Sequence, residues 1–341
     1  MIWSMLCHAH LLLAASDANL NSAQIDDLLY QAEQNRLTDP NLFNENLSRV
    51  EANSSRINEK QTCLLNYLKA YQLAYRGEYE LMNSNLELYL DQCNVSEVRA
   101  RMYALSANTL VISGKFEQGL ISLDAALKIT DEITENTEVL TYIYSAASIV
   151  YDALDQLDLS EKYVDMVYQL KPTSTNLCKS KFYKFKQLVE DRSKVIPTHG
   201  VEEAIKQCET SNLPIQSLFL HFYYLKHQLD ATYSNQYDLQ KVSQQLDRLK
   251  EKVTKTRYPN IQSFYWAMVA YTQEKLGNMS KAEHAANLCL SLNKEFGDTE
   301  QKIIALEVKL QVALHKANEL EAYQLLKERT DSEQRRFNNK Q

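Results

Sequence analysis

Glycine and proline are scarce in this chain, whose 341 residues include six glycines and five prolines. A β-rich protein of this length needs many tight turns, and these residues are the ones that most often form them. Apolar residues make up 45% of the chain, which is typical of a folded protein and excludes global disorder. The scarcity of turn-forming residues therefore predicts an all-α fold.

Motifs for catalysis and metal binding are also missing. The sequence has no Gly-Gly pair and no glycine-rich phosphate loop, and no Cys-x-x-Cys or His-x-x-x-His pair has metal-ligand spacing. We therefore predict that the protein is not an enzyme and uses no cofactor or metal. The formal net charge of −7 argues against nucleic acid as a partner, because phosphate binding needs a positive surface.

Long apolar runs are missing too, except at the N-terminus. Residues 1–18 are the most apolar run, with small residues from Ala14 to Ala18 where a signal peptidase could cut. The run is too short for a permanent membrane span, and it lacks a basic start, because the first Lys or Arg is Arg36. We interpret residues 1–18 as a signal peptide. A buried first helix and a misassigned start are the alternatives.

The few glycines and prolines that are present punctuate the chain regularly. Three glycines lie between paired amphipathic stretches, where tight helix–helix turns are expected: Gly77, Gly114 and Gly277. Three prolines lie between successive pairs, where proline suits the first turn of a new helix: Pro172, Pro214 and Pro259. This alternation is typical of an array of helical hairpins.

Apolar and small residues recur at fixed positions around these turns. In residues 103–127, 144–168 and 266–290, large residues begin the first helix and small residues lie where the helices cross. These units resemble the tetratricopeptide repeat (TPR), and the resemblance implies a right-handed superhelical solenoid. We divide the chain into the signal peptide, a capping hairpin at 19–56, a TPR-like array at 57–330 and a polar helix end at 331–341.

Four of the six cysteines form two pairs with equal spacing: Cys63 with Cys93, and Cys178 with Cys208. Each pair is thirty residues apart and brackets a turn between two helical stretches. Residues equidistant from the turn of an antiparallel hairpin lie opposite each other, so each pair can close a disulfide. Disulfides are typical of an oxidising compartment. The alternative is four unrelated buried thiols in a cytosolic protein.

Tyrosine is abundant, with 21 residues against nine phenylalanines. Stacked hairpins curve, and their first helices line the concave side. Tyrosine combines a large contact area with a polar tip, which suits the recognition of a protein or peptide ligand. The alternative is that these rings replace phenylalanine in packing. The repeat register places six residues in the predicted groove: Tyr67, Tyr71, Arg101, Asn108, Tyr142 and Tyr271.

Three further segments carry a resemblance to one family. They are the run CLLNYLKAYQ at 63–72, the turn Arg76-Gly77-Glu78-Tyr79, and Arg257-Tyr258-Pro259 before a well-formed repeat. With the signal-like start, they resemble the extracytoplasmic sensor region of bacterial membrane-anchored diguanylate cyclases, the GGDEF proteins. In that family a membrane anchor and a catalytic domain follow the sensor region. Neither occurs in this chain.

This resemblance implies a periplasmic sensor or binding domain that recognises a peptide, protein or small ligand. Ligand binding would change the curvature of the array and move the terminal helix near Tyr323–Phe337, which could continue into a membrane anchor. The alternative is a soluble cytosolic TPR scaffold that mediates protein–protein interactions. It predicts reduced cysteines and an uncleaved N-terminus.

Overall fold

A computed structural model of the chain describes residues 20–133, 136–170, 173–190, 198–229, 239–294, 296 and 299–338. These residues form sixteen α-helices and two short 3₁₀ turns, and no strand occurs among them. The predicted signal peptide at 1–18 lies outside the described residues, as does Pro172. No helix in the described ranges is long and apolar enough to cross a bilayer.

The helices are short and similar in length. In chain order they are α1 (Ser22–Asn35), α2 (Pro40–Glu51), α3 (Glu59–Arg76), α4 (Tyr79–Asp91), α5 (Ser96–Ile112), α6 (Phe116–Ile129), α7 (Thr137–Ala153), α8 (Leu157–Gln169), α9 (Ser174–Glu190), α10 (Thr198–Thr210), α11 (Pro214–Leu229), α12 (Leu239–Thr256), α13 (Pro259–Lys275), α14 (Met279–Leu292), α15 (Glu300–His315) and α16 (Glu319–Asn338). The 3₁₀ turns are Ser54–Arg56 and Thr130–Glu132.

Packing follows the order of the chain. Each odd-numbered helix packs against the even-numbered helix that follows it, which gives eight hairpins from α1–α2 to α15–α16. Each odd-numbered helix also packs against the next odd-numbered one, so neighbouring hairpins share a core. The prediction of an all-α, repeat-like chain of hairpins is confirmed.

Five hairpins turn through the same backbone motif. One residue in the left-handed conformation lies two positions before the second helix, at Gly77, Gly114, Asp155, Gly277 and Ala317. In each case the amide of the next residue donates to a carbonyl five positions earlier, as Glu78 does to Leu73. This is the Schellman motif, which satisfies the last carbonyls of a helix. The three predicted turn glycines are therefore confirmed.

Helix starts also follow local sequence signals. Asp39 caps α2 by accepting from the amides of Asn41 and Leu42, and Pro40 takes the first helical position. Pro214 and Pro259 likewise begin α11 and α13. Pro214 and Pro259 thus start helices where the sequence predicted that one hairpin gives way to the next.

Small residues allow the paired helices to approach closely. A Cβ atom on Gly119 of α6 would lie 2.6 Å from the Val111 side chain and 3.2 Å from the Ala107 carbonyl oxygen of α5. In the next hairpin, the hydroxyls of Ser148 and Ser160 are 3.1 Å apart and fully enclosed. Close packing therefore limits the size of the residues at these crossings, as the repeat pattern predicted.

The first two hairpins contact the seventh, far along the chain. Arg257 donates to the side-chain oxygen of Asn41 over 2.8 Å. The hydroxyl of Tyr258 donates to the carbonyl of Arg36, and its ring stacks on that of Tyr75 with centroids 4.0 Å apart. The chain therefore returns to its own beginning, in addition to the contacts between neighbouring hairpins.

A second long-range contact predicts unequal effects of two similar substitutions. Gly77 and Gly277 both have positive φ, so alanine at either should cost about 1–2 kcal/mol of backbone strain. A Cβ at Gly77 would also lie 2.7 Å from the buried Phe296 ring, whereas none of the described atoms lies within 4 Å of a Cβ at Gly277. We expect Gly77→Ala to lower the free energy of unfolding by about 1–3 kcal/mol more than Gly277→Ala.

Urea unfolding of the two variants measures this difference directly. Equal destabilisation by the two substitutions would show that Phe296 does not pack against the Gly77 turn in solution.

Candidate binding site: a tyrosine–arginine cluster

Four of the six predicted groove residues come together in the structure. Tyr67 and Tyr71 lie on α3, Arg101 on α5 and Tyr142 on α7. The rings of Tyr67 and Tyr142 meet edge to face with centroids 6.3 Å apart. The Arg101 guanidinium carbon lies 5.9 Å from the centre of the Tyr67 ring. The first helices of three successive hairpins thus meet at one place.

Arg36, which follows α1 directly, lies at the centre of these residues. Its Nη1 donates to the Tyr67 hydroxyl over 2.6 Å. Its guanidinium carbon lies 4.5 Å from the centre of the Tyr71 ring and 5.8 Å from the centres of the Tyr67 and Tyr142 rings. Five residues define what we call the tyrosine–arginine cluster: Arg36, Tyr67, Tyr71, Arg101 and Tyr142.

A single carboxylate serves both arginines of the cluster. Glu33 of α1 accepts a hydrogen bond from Nη1 of Arg101, and its Oε1 lies 3.8 Å from Nη1 of Arg36. The three side chains keep 12–13% of their surface exposed. The ion pairs are therefore mostly desolvated, and water still reaches part of the cluster.

The other two predicted groove residues lie elsewhere. Asn108 is on α5, where its partly buried side chain has an Oδ1 atom with no hydrogen-bond partner among the described residues. Tyr271 is on α13, with Nζ of Lys275 lying 5.1 Å from the centre of its ring. Among the described residues, no hydrogen bond or ring contact joins either one to the tyrosine–arginine cluster.

Two further tyrosines connect the cluster to the seventh hairpin. The Tyr71 hydroxyl lies 2.6 Å from that of Tyr75, and the Tyr75 ring stacks on Tyr258, the residue before α13. Burial raises the pKa of Tyr71 to about 12 and also raises those of Tyr75 and Tyr258. These phenols therefore stay neutral at physiological pH and act as hydrogen-bonding groups.

The charges of both arginines act on Lys179 of α9. The pKa of its ammonium is lowered to about 8, mainly by burial and then by the positive charges of Arg36 and Arg101, while Glu138 opposes the shift. No hydrogen bond or ion pair joins Nζ to any residue in the described part of the chain. Lys179 is therefore a partly buried cation with no directly bonded carboxylate among the described residues.

Both predicted cysteine pairs are present at disulfide distance. Cys63 and Cys93 have Cα atoms 5.1 Å apart, and those of Cys178 and Cys208 are 4.8 Å apart. All four are buried. Cys63 lies one turn before Tyr67 on α3, and Cys178 directly precedes Lys179 on α9, so each disulfide braces a helix that carries a residue of the site.

Sequence reasoning missed Arg36, Tyr75, Lys179 and Tyr258. One signal was available: Tyr71 and Tyr75 are four residues apart, which places them on the same face of α3. Contacts between distant hairpins determine the positions of Arg36, Lys179 and Tyr258. Patterns among neighbouring residues do not predict those contacts.

No protein-family model and no curated protein sequence matches the chain. The function of the chain must therefore be inferred from its own residues and their geometry.

Proposed function

We propose that this protein is the non-catalytic sensor or binding domain of an extracytoplasmic receptor. Its hairpins form a right-handed superhelical solenoid of the TPR type, and its ligand binds at the tyrosine–arginine cluster. The output is a membrane-anchored signalling domain of the diguanylate cyclase kind. The signal-like start and the three resembling segments favour that output over an unrelated one.

The observation that carries this proposal is the composition of the cluster. The cluster and its neighbours Lys179 and Tyr258 come from six of the eight hairpins, and aromatic and cationic groups outnumber carboxylates there. Aromatic rings and arginine are the residues that most often dominate binding energy at interfaces. A ligand placed among them would contact many repeats at once, which suits a change in the curvature of the array.

A series of direct contacts leads from the cluster to the last hairpin, and it supports transmission of ligand binding to the output domain. Tyr258 contacts Arg36 and directly precedes α13, α13 packs against α15, and α15 pairs with α16. A shift of Tyr258 would therefore be passed to the last hairpin through helices that pack directly against each other. The terminal helix α16 is where the resemblance expects the output to be controlled.

The two disulfides support the extracytoplasmic location, because such bonds persist in oxidising compartments. We predict that protein recovered from its own cells, denatured and alkylated without reductant, carries label on Cys289 and none on the four paired cysteines. Peptide mass spectrometry reads the label at each position. Free thiols at all these positions, together with retention of residues 1–18, would overturn the proposal in favour of a cytosolic scaffold.

Transmission of the signal from this domain to the output can be tested in the full-length protein. Deleting residues 25–320 from a parent receptor should leave its output constant under conditions that change the output of the intact receptor. An output that still responds after the deletion would show that sensing lies elsewhere.

A further inference from the structure

The first four hairpins and the last four meet at two places. One is the junction in the chain between the fourth and fifth hairpins, where α7 and α8 lie beside α9. The other, which we call the seam, is the set of long-range contacts between residues 36–41 and 75–79 and the last four hairpins. The tyrosine–arginine cluster belongs wholly to the first four hairpins, so both junctions affect access to it.

The junction between α7 and α9 has the least apolar packing in the array. Among the described residues, these are the one pair of successive odd-numbered helices that share no buried apolar cluster. Ile149 of α7 and one side chain of α8 reach the cluster of α9. Polar links complete the junction: the Thr141 hydroxyl donates to Asn176 over 3.0 Å, and Lys186 pairs with Asp152. Such an interface can rearrange with little loss of apolar burial, as a hinge requires.

The seam is held by a small number of side chains. Leu37, in the turn after α1, packs against the buried clusters of both α9–α11 and α11–α13. The Tyr258 hydroxyl donates to a carbonyl of the same turn, and its ring stacks on that of Tyr75. The rings of Tyr79 and Phe296 meet with centroids 5.6 Å apart. Within the described ranges no pair of helices packs closely across the seam, so opening it breaks few contacts.

A cleft at the edge of the seam shows that its two sides are not closely packed throughout. The cleft has a volume of about 440 Å³ and lies between residues 38–41 and the end of α12, where Thr254, Lys255 and Arg257 line it. Arg257 donates to Asn41 over 2.8 Å, from one wall to the other, and both residues are exposed. Water can replace an exposed hydrogen bond, so this one adds little resistance to opening.

We propose that the seam is an autoinhibitory closure: the array opens there, hinged between α7 and α9, and opening admits the ligand to the tyrosine–arginine cluster. This inference rests on the proposed binding function and names how access to that site is regulated. In the closed form Tyr258 covers Tyr75, which is hydrogen-bonded to Tyr71 of the cluster. Opening uncovers that side and leaves the cluster intact, because Arg36 and its tyrosine partners move together. A ligand that binds the open form therefore shifts the array toward it.

Pulsed electron paramagnetic resonance measures the opening in the full chain. Nitroxide labels on Glu45→Cys of α2 and Arg248→Cys of α12, both exposed positions, report the distance across the seam. Labels on Arg248→Cys and Lys281→Cys, also exposed, report a control distance within the last four hairpins. Alanine replaces the remaining free thiol, Cys289, so that only the introduced cysteines carry label.

Two substitutions loosen the seam without replacing a residue of the cluster. Leu37→Ser removes an apolar anchor, and Tyr258→Phe removes the hydrogen bond to the Arg36 carbonyl while keeping the ring. Together they should raise the ratio of open to closed molecules on the order of fiftyfold. The distance across the seam should then gain a longer component, and the control distance should not change. Gly277→Ala strains a turn away from the seam, so it should add no longer component.

Hydroxyl-radical labelling read by peptide mass spectrometry tests whether opening exposes the cluster. Tyr71 is buried in the closed form, and its modification should rise at least about fivefold in the loosened double variant, because the open fraction grows. Met102 of α5 is fully buried in the core of the first hairpins and reports global unfolding. Its modification should not change.

Three results would overturn the inference. These are a single unchanged distance across the seam in the loosened double variant, a longer component that also appears in the control pair, and a rise in Tyr71 modification matched by Met102. The cluster would then be reached in the closed form. None of these results alters the thiol labelling or the deletion test, so the proposed sensor function would remain open to its own experiments.

Discussion

Arg36→Met should lower the free energy of unfolding by about 3–5 kcal/mol, the cost of breaking a buried ion-pair network by removing one partner. The guanidinium donates to Tyr67 and lies against three tyrosine rings, and methionine keeps the apolar volume without either interaction. The substitution also removes the donor to the Tyr67 hydroxyl and a positive charge that lies 3.8 Å from Oε1 of Glu33. Urea-induced unfolding followed by circular dichroism measures the change.

Arg248→Met is the control for this experiment, because Arg248 is exposed in the middle of α12. It should change stability by no more than about 0.5 kcal/mol. If Arg36→Met lowered the free energy of unfolding no more than Arg248→Met does, the guanidinium would not be stabilising the cluster. Arg36→Lys should fall between the two, because lysine keeps the charge and lacks the planar face that stacks on tyrosine.

The double substitution Cys63→Ala, Cys93→Ala should cost about 3–4 kcal/mol, since a disulfide that closes a loop of thirty residues restricts the unfolded chain by that amount. The second pair closes a loop of the same length, so Cys178→Ala, Cys208→Ala should have a similar cost. Thermal unfolding with and without reductant measures both effects.

Cys289 provides the internal control. It is buried and unpaired, and burial raises the pKa of its thiol to about 11, so it reacts slowly. Cys289→Ala should leave the sensitivity to reductant unchanged, and the variant without the four paired cysteines should show none. If the melting temperature of the unsubstituted protein were the same with and without reductant, that result would contradict the disulfide assignment.

The features that the sequence predicted correctly are those encoded by neighbouring residues. Glycine at the left-handed position of a turn, proline at the first position of a helix and cysteines equidistant from a turn each act through local geometry. Gly77, Pro259 and the Cys63–Cys93 pair illustrate the three cases.

Two hairpin turns show where local rules fall short. Asp155 and Ala317 adopt the same left-handed conformation as the turn glycines, with φ of 58° and 53°. Side chains disfavour this region, alanine more than aspartate, so the residue type alone would not identify the turn. Packing between the two helices of the hairpin must hold these residues there, and its strength cannot be read from the residue at the turn.

The tyrosine–arginine cluster lies between these extremes. The repeat register identified Tyr67, Tyr71, Arg101 and Tyr142, because residues on equivalent faces of successive helices meet. It placed them on an open groove, whereas Tyr67 and Tyr71 are buried against one another and against Arg36. Arg36 lies in a turn outside the repeats, and its position depends on how distant hairpins meet. Spacing within one repeat carries no information about those contacts.

The contact of Tyr258 with Arg36 has a consequence for how the chain unfolds. In a linear array each repeat contacts its neighbours alone, so the ends can fray without disturbing the middle. Here the residues after α1 are held by residues that precede α13, more than two hundred positions later. Loss of the first hairpin therefore removes support from the seventh, and the two open together. The long-range contact therefore makes the first and seventh hairpins unfold cooperatively, although they are not adjacent in the sequence.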